Sequence, residues 1–336
     1  MHTSAPPTMR AAVLATPHGP FVCRQVPRPQ PAPGQLLVRI HASGVNPLDT
    51  KIRAGAAPHA RQPLPAVLGL DLAGTVEAVA GGVTGFAPGD AVYGCTGGVG
   101  GLQGSLAEFA TVDAALVAHQ PATLDMHAAA ALPLAFITAW EGLVDRARVA
   151  SGHQVLVQGG AGGVGHIAIQ LARARGATVY ATCTAAQADD VRVLGATPID
   201  HRSTPVADYV AQHTGGAGFD IVFDTVGGAV LDASFLAVRR TSGHVVTALG
   251  WGTHDLAPLS FRGATYSGVF TLLPLLTGQG RAHHGEILRA ATRLADAGLL
   301  RPRLDPGRHT LETVAQAHAL VTDRKARGKV VVDVRG

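Results

Sequence analysis

The rhythm of apolar positions along the chain changes once. Up to about residue 125, hydrophobic residues fall in short runs at 10–14, 35–41, 71–79 and 90–93, punctuated by proline and glycine. Short strands so punctuated predict a small β-rich, barrel-like domain. From Ala128 onward, longer amphipathic stretches alternate with brief apolar runs near 154–158, 178–182, 220–225, 245–249 and 265–270. That alternation predicts an α/β domain built on a doubly wound parallel sheet. A helix near 311–322 leads into a last apolar run at 328–334, expected as a strand that returns to the first domain and makes it discontinuous. The expected division is therefore 1–127, 128–270 and a return segment at 271–336, with residues 1 to about 8 as a loose extension.

One stretch carries more information than the rest. Val155, Leu156 and Val157 form an apolar run of the kind that is buried on both faces of a parallel sheet. Side chains then nearly vanish: glycines stand at 159, 160, 162, 163 and 165. Val164, Ile167, Ala168, Leu171 and Ala172 follow at the i, i+3, i+4 spacing of a helix stripe. Strand, glycine turn and helix in this order bring backbone N–H groups and the positive end of a helix dipole to one place, where a pyrophosphate can approach without meeting Cβ atoms. The spacing is G-x-x-G-x-x-G rather than G-x-G-x-x-G. The order of elements, not the bare pattern, thus makes dinucleotide binding the expectation.

Composition narrows the class. A length of 336 residues suits two cores, and 47% hydrophobic with 15% charged residues describes a compact folded chain. The formal charge is +4, without a lysine or arginine run, and aromatics make up 4%. An anionic small ligand fits this balance better than a nucleic-acid surface, which would need a basic face interleaved with stacking rings. Cys23, Cys95 and Cys183 are far apart and form no C-x-x-C pair, so neither a disulfide framework nor a cysteine zinc lobe is expected. The longest apolar stretch, 128–140, is interrupted by Pro133 and too short to span a bilayer, and no basic region with an apolar core opens the sequence. A cytoplasmic enzyme is the expectation.

Several segments in order carry a family resemblance: 44–55 (GVNPLDTKIRAG), 68–76 (LGLDLAGTV), 85–94 (GFAPGDAVYG), 132–140 (LPLAFITAW), the glycine turn, and 219–228 (FDIVFDTVGG). The chain resembles the zinc-independent medium-chain dehydrogenase/reductases of the quinone oxidoreductase, or ζ-crystallin, branch, and the likeness runs from Arg10 to Val334. The resemblance implies a GroES-like domain for 1–127, a Rossmann domain for 128–270, a return segment that completes the GroES-like domain, NADPH as coenzyme and a homodimer. Where the alcohol-oxidising branch has a zinc-binding cysteine and a Gly-His-Glu segment, this chain has Asn46, and Leu70 with Asp71. No metal site is therefore expected. Without a Lewis acid, simple alcohol oxidation loses its main device, whereas quinones and enones take a hydride readily because the arriving charge delocalises onto oxygen.

By this resemblance Asn46, Lys51 and Thr138 are the candidate catalytic residues. Asn46 is a hydrogen-bonding partner for a substrate carbonyl or the nicotinamide ribose, or else orders its own turn. Thr138 faces the nicotinamide or caps a helix. Lys51 stands where many relatives have tyrosine and is either a cationic donor to a developing enolate or hydroquinone anion, or a solvated lysine beside Arg53. Trp251 is either a wall of the substrate pocket or packing.

Gly159, Gly162, Gly163 and Val164 are the expected pyrophosphate contacts, and Val226, Leu249, Phe270 and Leu272 lie where backbone groups meet the nicotinamide. An NAD site usually ends the second strand with an acid, but here Thr182, Cys183 and Thr184 stand there. NADPH is thus expected, with Thr182 beside the ribose, His201 on the next loop, and Arg324 at a family position that can reach the 2′-phosphate. The leading expectation is NADPH-dependent, metal-free reduction of a quinone or an α,β-unsaturated carbonyl. A catalytically quiet nucleotide-binding protein and a zinc-type alcohol dehydrogenase are the alternatives, the second disfavoured for want of ligands.

Overall fold

The computed structural model describes residues 7–335, so the first six residues of the expected N-terminal extension lie outside the described residues. The chain forms two compact units. One comprises residues 7–134, 272–298 and 302–335; the other comprises Ala135–Thr271 and Leu299–Arg301.

The first unit is antiparallel β structure arranged around the strand Gln35–Gly44. This strand pairs with Asp71–Val79 along one edge; along the other, Gln35 to Arg39 pair with Phe109–Asp113 and Ala42 to Gly44 with Val331–Asp333. Its alternation leaves Leu36, Val38 and Ile40 fully buried. A smaller sheet joins Thr8–Leu14 to Phe21–Pro27 and Ala66–Val67, and Met9, Ala11 and Val13 pack there against Leu37 and Phe109. The unit runs to Leu134 instead of ending near 127 because the helix Met126–Ala130 lies on the central strand. A Cβ on Gly44 would come within 2.2 Å of the Ala130 carbonyl oxygen, an approach that only glycine permits. The helix Arg281–Asp296 also belongs here. It buries Ile287, Leu288 and Ala291, and the Tyr93 hydroxyl donates to its Leu288 carbonyl at 2.7 Å. The terminal strand Val331–Asp333 makes the unit discontinuous in sequence.

The second unit is a parallel sheet of the doubly wound Rossmann type. Among the described residues it has six strands, in the order Thr197–Asp200, Thr178–Cys183, Gln154–Gln158, Ile221–Asp224, His244–Thr247, Thr265–Gly268. The first was not expected from the sequence. It has four residues and contains Pro198, which lacks an N–H and so is tolerated at a sheet edge. Leu156, Val222 and Val245 of neighbouring strands pack with Tyr209, Phe219, Leu231 and Phe235. The helix Pro133–Trp140 runs on into a wider π turn at Glu141–Arg146. In that turn Gly142 has no Cβ to collide with Phe223, whose ring would lie 2.6 Å away. The helix expected near 311–322 begins as a tight 3₁₀ turn at Leu311–Thr313 before the α-helix Val314–Thr322. No helix among the described residues is long and apolar enough to cross a membrane.

Candidate active site

In the second unit the glycine turn connects the strand Gln154–Gln158 to the helix Gly165–Ala174. Gly159 adopts φ +73°, a left-handed conformation that side chains disfavour. Gly165 is required for another reason: a Cβ there would lie 2.1 Å from the Gly159 carbonyl oxygen, so the helix could not start so close to the strand. Gly160 packs against Ala181 in the same manner. Gly162 and Gly163 are exposed, while Val164 at the N-cap has no side chain that could accept from the first N–H groups of the helix. The buried His166 donates from Nδ1 to the Gly162 carbonyl at 2.9 Å and stiffens the turn from beneath.

Thr182 turns out to be part of this scaffold. Its hydroxyl donates to Gln158 Oε1 at 2.8 Å and accepts from the Gly159 N–H at 2.9 Å, and its carbonyl accepts from the Gly160 N–H. The side chain is buried and shapes the turn. His201 is exposed and donates from Nδ1 to the Cys183 carbonyl at 2.7 Å, at the end of the same strand. Asp200, on the neighbouring strand, accepts from the Arg202 N–H and the Ser203 hydroxyl, and these bonds hold its carboxyl below the usual range.

Parallel strands bring their carboxyl ends to one edge, and two further turns there are held by a residue the sequence reading had not singled out. The buried carboxylate of Asp224 accepts from the Val226 and Gly227 N–H groups, each at 3.0 Å, and from the Thr247 hydroxyl at 2.6 Å. Thr247 in turn accepts from the Leu249 N–H. Val226 and Leu249 are thereby fixed by one carboxylate, while Phe270 is partly exposed against Trp251. Thr138 is buried on its helix and its hydroxyl meets Thr271 Oγ1 at 3.2 Å, which donates to Glu141 Oε2. Leu272 and Arg324 belong to the first unit; Leu272 is buried at the start of the helix Leu273–Thr277, and Arg324 is exposed with φ +57°.

The first unit contains a buried polar knot that only its folding assembles. Asn46 caps the helix Pro47–Arg53, and its N–H donates to Asp49 Oδ2 at 2.8 Å. Its amide Nδ2 donates to Asp71 Oδ2 at 2.9 Å, and its Oδ1 accepts from the ammonium of Lys329. Lys329 also donates to the Val45 carbonyl and lies 3.9 Å from Asp71 Oδ2; Asp71 Oδ1 accepts from the Leu134 N–H. The Asn46 side chain is thus engaged at both ends inside the unit, by residues distant in sequence. Lys51 is exposed on the last turn of the same helix.

Burial governs the charges in the knot. It pushes Asp49 up to about 7, helped by the charge of Asp71 and opposed by the Asn46 N–H, Lys329 and the Asn46 amide, and Asp49 Oδ1 is buried without a partner. It pushes Asp71 up to about 6 against the pull of Lys329, Asn46, Leu134 and the Cys95 thiol. Lys329 is lowered by its own burial, with the two aspartates resisting, and the Cys95 thiol is raised well above its ordinary value by burial. This donor set does not fit zinc. An ammonium holds the Asn46 oxygen and screens Asp71, the thiol resists ionisation, and the neighbour at position 70 is a buried leucine. Among the described residues no group of three or more His, Cys, Asp or Glu is arranged to hold a metal.

Comparison with known proteins agrees with this architecture. Residues 32–122 match the alcohol dehydrogenase GroES-like domain family, and residues 194–332 match the family described as zinc-binding dehydrogenase. The chain is similar to a 2-methylene-furan-3-one reductase of Solanum lycopersicum, 35% identical over 89% of this chain and 71% of that protein. It is also similar to a quinone oxidoreductase of Pongo abelii, 30% identical over 96% of this chain and 97% of that one. A solved alcohol dehydrogenase superfamily protein from Novosphingobium aromaticivorans shares 61% identity and a TM-score of 0.96, over 98% of this chain and 100% of that chain. A 36% identical segment also occurs in a polyketide synthase system protein of Streptomyces orinoci, of which this chain spans 12%. The fold and the glycine turn define a nicotinamide-dependent oxidoreductase of two units, GroES-like and Rossmann. The chain belongs to the medium-chain dehydrogenase/reductases, in the quinone oxidoreductase branch.

Proposed function

We propose that this protein is an NADPH-dependent reductase of quinones or α,β-unsaturated carbonyls that works without a metal. The observation that carries the reading is the Lys329–Asn46–Asp71 knot. It puts an amide and a leucine where alcohol-oxidising relatives have zinc ligands and sets an ammonium against the amide and Asp71, so the acceptor has to be one whose own conjugation takes up the charge. The names of the tomato furanone reductase and the ape quinone oxidoreductase favour the same substrate classes.

A nicotinamide bound here would supply hydride chemistry toward the electrophilic carbon of the acceptor. The chain's residues do the rest. Gly159, Gly162, Gly163 and Val164 receive the pyrophosphate on backbone N–H groups, and Val226, Leu249, Phe270 and Leu272 supply backbone contacts to the nicotinamide. Thr138 is held by Thr271 toward the nicotinamide side. Asn46 orders the start of the helix that bears Lys51, and the exposed Lys51 ammonium donates the proton to the enolate or hydroquinone oxygen. The absence of an acid at 182–184, the exposed His201 at the end of that strand and the charge of Arg324 favour the 2′-phosphate. A homodimer acting in the cytoplasm completes the proposal.

The test is an NADPH oxidation screen over 1,4-quinones, 2-alkenals, cyclic enones and simple ketones, with NADH in parallel and protein-bound metal measured. Turnover of quinones or enones by metal-free protein, with NADPH preferred, is the expected result. Activity confined to simple ketones or alcohols, or dependent on stoichiometric zinc, overturns it. Lys51→Ala should lower kcat for the best acceptor, and unchanged turnover removes Lys51 from the mechanism.

A further inference from the structure

The loop between His244–Thr247 and the helix Ala257–Ser260 carries Trp251, which is 53% exposed and stands edge-on to Phe270 at 6.3 Å. His254 ties this loop to the helix Ala229–Ala237. Its Nδ1 is 2.7 Å from Asp232 Oδ1, and its Nε2 is 3.4 Å from the Trp251 carbonyl oxygen. Phe235 faces the imidazole edge-on at 6.4 Å, so the ring is held with a nitrogen toward each oxygen.

A carboxylate and a carbonyl are both pure acceptors. A neutral imidazole has one N–H and one lone pair, so either tautomer sets a lone pair against one of these oxygens. The imidazolium alone donates to both. The geometry points to His254 as a protonation-controlled latch: charged, it clamps the Trp251 loop to Asp232 and holds the indole as a wall of the nicotinamide or acceptor site; neutral, it releases the loop. The functional half of this statement rests on the coenzyme reading given above; the latch itself does not.

The charged groups acting on His254 are Asp232 on the helix and, farther off, Asp224 at the strand end, while Asp255 of the loop is committed to the Ala257 N–H. The hydrogen bond to Asp232 raises His254 above its ordinary 6.5; the Trp251 carbonyl and the charges of Asp232 and Asp224 add to this, and desolvation opposes it. A raised histidine gives a latch that is fully closed below 6.5 and opens as pH climbs through the raised value.

The chain has two tryptophans, so Trp140→Phe leaves Trp251 as the single fluorescent reporter. In that background, Trp251 emission and its quenching by iodide, followed from pH 5 to 9 without coenzyme, should show one transition with its midpoint above 6.5. His254→Gln should abolish the transition, and Asp232→Asn should move it down by about one pH unit. Across the same range the acceptor KM of wild type should rise severalfold while kcat follows a separate profile, and His254→Gln should hold the high KM at every pH. A transition that survives unchanged in His254→Gln, or a midpoint that Asp232→Asn does not move, overturns the latch. Should the protein bind no nicotinamide coenzyme at any pH while the emission transition and its loss in His254→Gln are seen, the functional reading fails and the latch stands.

Discussion

Asp49→Asn is expected to remove one source of the protein's loss of stability toward alkali. Asp49 is buried in the first unit, with its Oδ1 unpartnered and its carboxyl pushed up to about 7 from 3.8. An acid raised on folding binds its proton more tightly in the native state. Its favourable contribution is therefore complete below 3.8 and is lost as pH rises through 7. The interval of 7 − 3.8, or 3.2 units, corresponds to a ceiling of about 4 kcal/mol, falling by at most about 1.4 kcal/mol per unit.

Asparagine carries no charge and can still accept the Asn46 N–H, which sits 2.8 Å from Oδ2. Its new NH₂ meets no partner beside the position of Oδ1, a cost of about 1–3 kcal/mol that does not depend on pH. The variant should therefore be the less stable protein near pH 5 and gain on wild type steadily toward pH 8. Urea unfolding of both proteins at half-unit steps from pH 4.5 to 8.5 measures the difference. A gap between the two that stays flat across that range would mean that Asp49 is ionised throughout, and the account of the knot would be refuted.

Three further outcomes follow from the same geometry. Gly165→Ala drives a methyl to 2.1 Å from the Gly159 carbonyl oxygen, whereas Gly162→Ala meets the same oxygen at 3.1 Å. Thermal unfolding should show a loss of about 2–4 kcal/mol for the first and under about 1 kcal/mol for the second, with coenzyme affinity measured by calorimetry falling in both. Thr182→Val removes the hydroxyl between Gln158 and the Gly159 N–H and should cost about 1–3 kcal/mol; Thr182→Ser should restore most of it, and equal losses in the two would detach the hydroxyl from the effect. Asp224→Asn leaves the Thr247 hydroxyl and two backbone N–H groups sharing a neutral acceptor, so NADPH affinity should fall tenfold or more, read by fluorescence titration, with a smaller change in melting temperature.

The local features of this fold were legible in the sequence, and the distant ones were not. The glycine turn could be read because strand, turn and helix are contiguous and each glycine answers a constraint from a neighbour a few residues away, as Gly165 does with Gly159. The strand Thr197–Asp200 escaped because four residues with a proline do not establish a period. Thr182 was read for the acid it replaces, yet its hydroxyl works inward, a direction that composition does not encode. The contacts of Asn46 could not be read locally, since the lysine that holds its amide lies 283 residues away. Lys329 falls inside the apolar run 328–334, and nothing in its local pattern announces two buried carboxylates across the fold. Asp224 stood inside a recognised segment, but its clamp on Leu249 passes through Thr247 on another strand.

That separation of 283 residues also imposes an order on synthesis. Residues 135–271 can emerge and fold as a parallel sheet while the strand Gln35–Gly44 still lacks its partner Val331–Asp333 and Asp71 lacks its counter-cation. At translation rates of about 5–20 residues per second, the nascent first unit waits many seconds with an open edge and an unneutralised buried acid. Only a chain translated through residue 333 can pair Ala42 to Gly44 with Val331–Asp333 and set Lys329 against Asn46 and Asp71.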